Sequence, residues 1–254
     1  MGLTVGLGAS PGGGGSKKKS VLDSDIISIT TFRVEVSDKK ITEFPLLDTS
    51  KVNDMGSMFS TCNGLKTIPL IDTSNVTIMS SMFYNCHSLE SIPLLNTSKV
   101  TRMSSMFELC QILKTIPLID TSNVTDMSRM FYNCYELESV PLLNMSKCQS
   151  MTYIFWNCTS LRTVPLIDVS KVSSLGGAFY KCSALESCLI NGLKLELQLN
   201  YSPNLSKASV LYIFENAQTI TTAKTITLHK DVFNQLTADE IAIATQKGFS
   251  VVST

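Results

Sequence analysis

Six times in succession, at an unbroken 24-residue interval, the chain writes Pro-Leu, then Leu or Ile, then Asp or Asn, a variable residue and Ser; each copy continues into Phe-x-x-Cys-x-x-Leu. A self-similar period of this length signals units that cannot close a core alone, so each buries its apolar edge against the next. The columns show the division of labour. Phe59, Phe83, Phe107, Phe131, Phe155 and Phe179 never vary, and neither do the prolines from Pro45 to Pro165 or the leucines from Leu65 to Leu185. Where a column does vary, as in Val52, Val76, Val100, Val124, Cys148 and Val172, the replacement stays apolar and compact, as packing demands.

The cysteines follow the same period at Cys62, Cys86, Cys110, Cys134, Cys158 and Cys182. Units one strand spacing apart, roughly 4.8 Å, would hold equivalent sulfurs side by side and not facing across a disulfide. Cys148 and Cys188 replace core aliphatics, so all eight are expected to be free, buried thiols. Zinc would need a short-spaced ligand cluster, and the chain has no Cys-x-x-Cys and no paired histidines; no metal or cofactor is expected. Free thiols point to folding in a reducing compartment.

Within a unit, Val76, Met79 and Phe83 fall at helical spacing after Asp72 and Ser74, which predicts a short helix with one of those two as its N-cap. Leu65 to Leu70 reads as a short strand with Ile68 and Leu70 inward, although proline is normally confined to strand ends and sheet edges. The expected fold is therefore an α/β repeat solenoid of strand-turn-helix units, with a short parallel sheet on one face and short helices on the other. Lys66, Glu90, Lys114, Glu138, Arg162 and Glu186 alternate in sign, which predicts opposite charges above and below each unit and implies a 48-residue double unit.

The segment from Asp120 to Cys134, with its Asp-Thr-Ser-x-Val-x-x-Met-x-x-Met-Phe-x-x-Cys core, resembles the BspA-like leucine-rich repeat of bacterial and mycoplasma surface proteins, and the likeness covers roughly residues 41–190. It implies a leucine-rich-repeat-type solenoid used in adhesion and recognition, with no catalytic residues to carry over. The closing stretch from Thr225 to Gly248 and Phe249 is similar to the terminal unit of repeat proteins of bacteriophages and gut bacteria. That resemblance implies a bacteriophage-encoded member.

Residues 1–20 read as a flexible tether, with a run of glycines before Lys17, Lys18 and Lys19; the pattern lacks the spacing of a phosphate loop. Residues 21–44 read as an N-terminal cap with strands at 26–29 and 32–36, residues 45–188 as the six repeats, and 189–254 as a degenerate repeat and C-terminal cap. In that last part Leu193 to Leu199 alternates as a strand, Val210 to Phe214 echoes the Met-Phe segment, and Thr237 to Glu240 is a capping box ahead of a helix that Gly248 ends.

The 21 basic and 21 acidic residues cancel, so no general basic field exists to hold nucleic acid or anionic lipid. No apolar run approaches the roughly 18–20 residues of a membrane span, and the start of the chain carries neither a secretory h-region nor a lipidation motif. The two histidines, His87 and His229, lie in no nucleophile or metal motif, and the repeated Asp and Ser are turn-formers, so catalysis is not expected. Two binding surfaces are candidates. One is the strand face with the Leu47, Ile71, Leu95 column, which would instead be core if those side chains fold inward. The other is the column Ser60, Tyr84, Glu108, Tyr132, Trp156, Tyr180 beside the core phenylalanines, with His87 and Tyr135 close by.

The function expected is a virion-associated recognition protein, assembled in the host cytoplasm. It would meet other virion proteins through its N-terminal segment and a bacterial surface protein or glycan through its aromatic column. A bacterial surface or secreted adhesin, and a purely structural virion component, remain open beside it.

Overall fold

A computed structural model of the chain describes residues 48–254. The tether with Lys17 to Lys19, the cap over 21–44 and its two strands, Pro45 and Leu47 lie outside the described residues. From Asp48 onward the chain winds as a stack of parallel turns. The rings of Phe59, Phe83, Phe107, Phe131 and Phe155 follow one another at 5.4–5.6 Å with planes only 3–11° apart. Phe155 to Phe179 is the last step, at 5.7 Å and 31°. All six are buried, as are the Met, Cys and Leu columns around them.

The segment expected to be helical is not a helix. Met79, Ser81, Phe83 and Asn85 donate their N–H groups to the carbonyls of Arg102, Ser104, Met106 and Glu108 of the next unit at 2.7–3.0 Å. Between these rungs Met82, Tyr84 and Cys86 close three-residue turns onto Met79, Ser81 and Phe83. Ser81 and Asn85 take positive φ values of 57° and 60°, and residues 24 apart from them do the same. Such turns alternate inward and outward positions every three to four residues, so they carry the same apolar stripe as a helix. The neighbouring unit offers each N–H a partner outside its own turn, and the backbone takes that bond in place of the one four residues back.

Side chains stitch the units as well. Cys86, Cys110, Cys134, Cys158 and Cys182 each direct Sγ at the carbonyl of the phenylalanine one unit back, 3.0–3.2 Å away. All eight cysteines are free and buried. Thr49, Thr73, Thr97 and Thr121, also buried, donate to the carbonyls of residues 72, 96, 120 and 144. Asp72 accepts the N–H of Ser74 in a local turn, and Asp120 that of Ser122; these are turn bonds and not helix caps.

The proline edge departs from the expected strand. Ile68 and Ile71 are buried, whereas Leu70 points outward, and the described units from Pro69 to Ile167 repeat the pattern. Two inward residues three apart require an extra residue in the pleat. Where a regular pair forms, between β1 (Thr163–Asp168) and β2 (Ser187–Asn191), the register shifts between Val164 and Ile167 for that reason. β2 carries Leu189 where earlier units have proline, which restores an N–H to the ladder.

The C-terminal part is built differently. β3 (Leu197–Leu199), β4 (Lys224–Leu228) and β5 (Phe249–Ser253) form a parallel sheet in that order. β3 is shorter than the alternation from Leu193 suggests. α1 (Lys207–Asn216) is a true helix capped by Ser206, α2 (Lys230–Phe233) is a single turn capped by His229, and α3 (Ala238–Thr245) starts at the Thr237 capping box. Gly248, at φ 94°, turns the chain into β5 where a Cβ would meet the Ile220 carbonyl at 2.5 Å.

Candidate functional site

The aromatic column lies on the outside of the turn ladder, one residue past each core phenylalanine. Tyr132 and Trp156 stack at 6.0 Å and 9°, and Trp156 and Tyr180 at 3.8 Å and 19°. Tyr153 sets its edge against both Tyr132 (6.4 Å) and Trp156 (5.1 Å). Tyr201, from beyond the repeats, closes the far end against Tyr180 at 4.4 Å and donates its hydroxyl to Tyr180 Oη at 3.2 Å. That bond pushes the Tyr201 phenol above its ordinary value. The result is one half-exposed strip of five rings.

Gly177 is what admits it. A Cβ there would stand 2.7 Å from the Tyr153 ring and 2.9 Å from Trp156, and φ is 61°. The equivalent positions one and two units back are Tyr153 and Arg129, both at positive φ. Cations border the strip: the Arg129 guanidinium lies 5.5 Å from the Tyr132 ring and 5.6 Å from Tyr153, and Lys181 Nζ lies 5.6 Å from Tyr180. Arg129 also approaches Glu108 at 3.9 Å, whose buried carboxylate accepts the Ser105 hydroxyl at 2.7 Å.

Of the residues singled out from the sequence, Tyr132, Trp156 and Tyr180 come together in this strip. Tyr84 lies on the same column but is separated from it by Glu108, and Tyr135 is half-buried outside it. His87 is half-buried, with Nε2 on the Asn85 carboxamide oxygen. Among the described residues no ring contact joins Tyr84, His87 or Tyr135 to the strip, and no group of three metal-ligating side chains occurs. Tyr153 and Arg129 were legible as one column whose members change from Ser to larger side chains. Tyr201 lies past the break in the period, where no column carries it.

The second candidate face resolves with a shift of one position. Ile71, Leu95, Ile119, Leu143 and Ile167 are core, so that column offers no surface. The outward column is the preceding residue, Leu70, Leu94, Leu118, Leu142 and Leu166, exposed by 43–66%. An open groove of about 550 Å³ runs beside its middle three members.

The family profile described as "Mycoplasma protein of unknown function, DUF285" matches this sequence over residues 30–116, 53–166 and 90–192, overlapping stretches that follow the repeats. The chain belongs to that family. In this DUF285 member the matched stretch contains the phenylalanine stack, the turn ladder and all of the aromatic strip except Tyr201. No curated protein matches it. Among solved structures it is similar to a leucine-rich repeat protein from Bacteroides ovatus at 15% identity, covering 89% of this chain and 84% of that one with a TM-score of 0.23. So low a score adds nothing to the fold read from the stacked units themselves. Among the described residues no helix is long and apolar enough to cross a membrane.

Proposed function

We propose that this DUF285 member is a non-enzymatic recognition protein: a leucine-rich-repeat-type solenoid of 24-residue units whose aromatic strip engages a protein on a bacterial surface. The observation that carries the reading is the gathering of Tyr132, Tyr153, Trp156, Tyr180 and Tyr201 into one half-exposed strip on an otherwise repetitive wall. Large amphipathic rings already held by their neighbours lose little freedom on binding, which suits an interface anchor. The strip favours a protein partner over a glycan. Trp156 and Tyr180 cover each other's faces at 3.8 Å, so the strip offers ring edges and hydroxyls where a stacked sugar needs an open face.

The setting proposed is a virion, with the chain assembled in host cytoplasm and tethered through its N-terminal segment. Eight buried thiols without a disulfide suit folding in a reducing compartment.

The test is binding of the labelled full chain to candidate host cells, with Trp156→Ala and Tyr132→Ala as variants. At least about a tenfold loss in each is expected, and protease treatment of the cells should abolish binding while periodate oxidation of their glycans should not. Unchanged affinity in both variants removes the strip as the site. Mass spectrometry of purified particles tests the virion setting separately, and absence of the chain from them would return it to a surface or secreted role.

A further inference from the structure

The outward leucines of the proline edge form a second surface that recognition by the aromatic strip does not use. Leu70, Leu94, Leu118, Leu142 and Leu166 stand in one column. Together they expose on the order of 500 Å² of apolar surface, at the upper end of what a monomer leaves to water. The groove beside them is walled by Asn96, Asp120 and Asn144.

Two features say what fits there. The first is pitch. The leucines repeat at the rise of the stack, about 5 Å, and the core rings of the same units follow one another at 5.5–5.7 Å. A partner matches the row residue for residue only if it repeats at the same rise, and a second copy of this chain does.

The second is charge. Each column flanking the leucines alternates: Lys or Arg with Glu on one side, Asp with Asn on the other. If two copies lie face to face and antiparallel about a twofold axis through one unit, Lys114 meets Lys114 and Asp120 meets Asp120. If the axis passes midway between the units of Leu118 and Leu142, every pair reverses. Lys66 then faces Glu186, Glu90 faces Arg162, and Lys114 faces Glu138, while Asp120 faces Asn144 and Asn96 faces Asp168. These lysine, arginine and glutamate side chains pair within one chain as Lys66–Glu90, Lys114–Glu138 and Arg162–Glu186, and at 51–64% exposure each pair keeps an outer side that can meet a pair of opposite order on a second chain.

We propose that the leucine face is the interface of an antiparallel homodimer, with Leu118 of one copy over Leu142 of the second and Leu94 over Leu166. The contact is isologous, so each row is used twice. With its flanking columns it approaches the roughly 800 Å² per partner of a stable complex.

Sedimentation of the full chain tests this. A dimer is expected, with Leu118→Lys/Leu142→Lys weakening it at least about tenfold and leaving the circular dichroism spectrum of the folded chain unchanged, because neither side chain belongs to the core of one copy. Register is tested by cross-linking. The native thiols are all buried, so Leu94→Cys and Leu166→Cys each add one accessible sulfur. Mixing the two variants with a mild thiol oxidant such as dissolved oxygen and copper should give a disulfide-linked dimer, and Leu94→Cys alone under the same oxidant should not, since its copies would lie three units apart. Lys66→Glu should weaken the dimer and added Glu186→Lys restore it; the two residues are five units apart in one chain and meet only across the axis. A chain that stays monomeric at all concentrations, a dimer indifferent to the lysine pair, or Leu94→Cys linking to itself as fast as to Leu166→Cys overturns the proposal.

Discussion

Val76, Met79 and Phe83 in the repeats and Val210, Ile213 and Phe214 near the C-terminus are similar apolar stripes with opposite backbones. The first is a turn ladder with left-handed residues at Ser81 and Asn85; the second lies in helix α1. The difference lies in the neighbours. Each repeat finds on its C-terminal side a turn whose carbonyls face it, and the last such rung is Asn157 N–H to the Tyr180 carbonyl. Beyond Glu186 the period breaks, α1 has no equivalent turn to bond, and its N–H groups are satisfied within the helix behind the Ser206 cap. A stripe of apolar residues states which side is buried; the partner of each N–H states how the backbone gets there.

The two backbones should respond differently to pH and to substitution. The largest effect expected is alkaline unfolding confined to the repeats. Burial pushes Cys62 and Cys148 up to about 11 and Cys182 to about 12, from 9.0, and raises the other five as well. Below the ordinary thiol value both states keep the proton and nothing is lost. Above it the unfolded chain releases protons that the folded chain retains, so stability falls as pH rises, by about 1.4 kcal/mol per thiol per pH unit. Residues beyond Cys188 contain no cysteine. Hydrogen exchange above pH 9 should therefore show the turn ladder opening before β4 and α3, and uniform opening would contradict it.

Next in size, Phe107→Ala should cost about 3–5 kcal/mol. Its ring touches Phe83 on one side and Phe131 on the other, so amide protection should fall in both adjoining units. Phe214→Ala should cost a similar amount with the loss confined to the C-terminal elements. A Phe107→Ala melt equal to wild type would mean that the column does not hold the array together.

Smaller but of opposite sign are two glycine substitutions. Thr61 sits at φ 65°, where a β-branched side chain is strained, so Thr61→Gly should stabilise by about 1 kcal/mol. Ala208→Gly in α1 should destabilise by about the same amount. Matching signs would show that the two backbones are not distinct. The smallest effect belongs to Lys66→Ala, which removes an exposed 2.8 Å pair with Glu90 and should leave the melting temperature unchanged.

Much of this was legible residue by residue. The phenylalanines stack, the thiols stay free, and the capping box at Thr237 opens a helix because each of these rests on spacing or on a local bond. The sign-alternating column was only half legible. Lys66–Glu90, Lys114–Glu138 and Arg162–Glu186 close within 4.0 Å, but among the described residues Glu90–Lys114 and Glu138–Arg162 do not, so the pairing follows the 48-residue double unit. Leu70 was misplaced because strict alternation from Ile68 ignores the extra residue that proline introduces. The aromatic strip was legible at Tyr132, Trp156 and Tyr180, but not at Tyr201, which reaches Tyr180 only through the fold.

The repeat pattern alone established the order of the stack and the burial of the Phe, Met, Cys and Leu65-type columns, because identical side chains at a constant interval can be buried together in only one register. The tertiary structure alone decided that the turns are not helical, that leucine and not isoleucine faces water on the proline edge, and that five rings share one strip. Those outcomes turn on competition between a bond within a unit and a bond to the next, and hydrophobic periodicity carries no record of which partner each N–H takes.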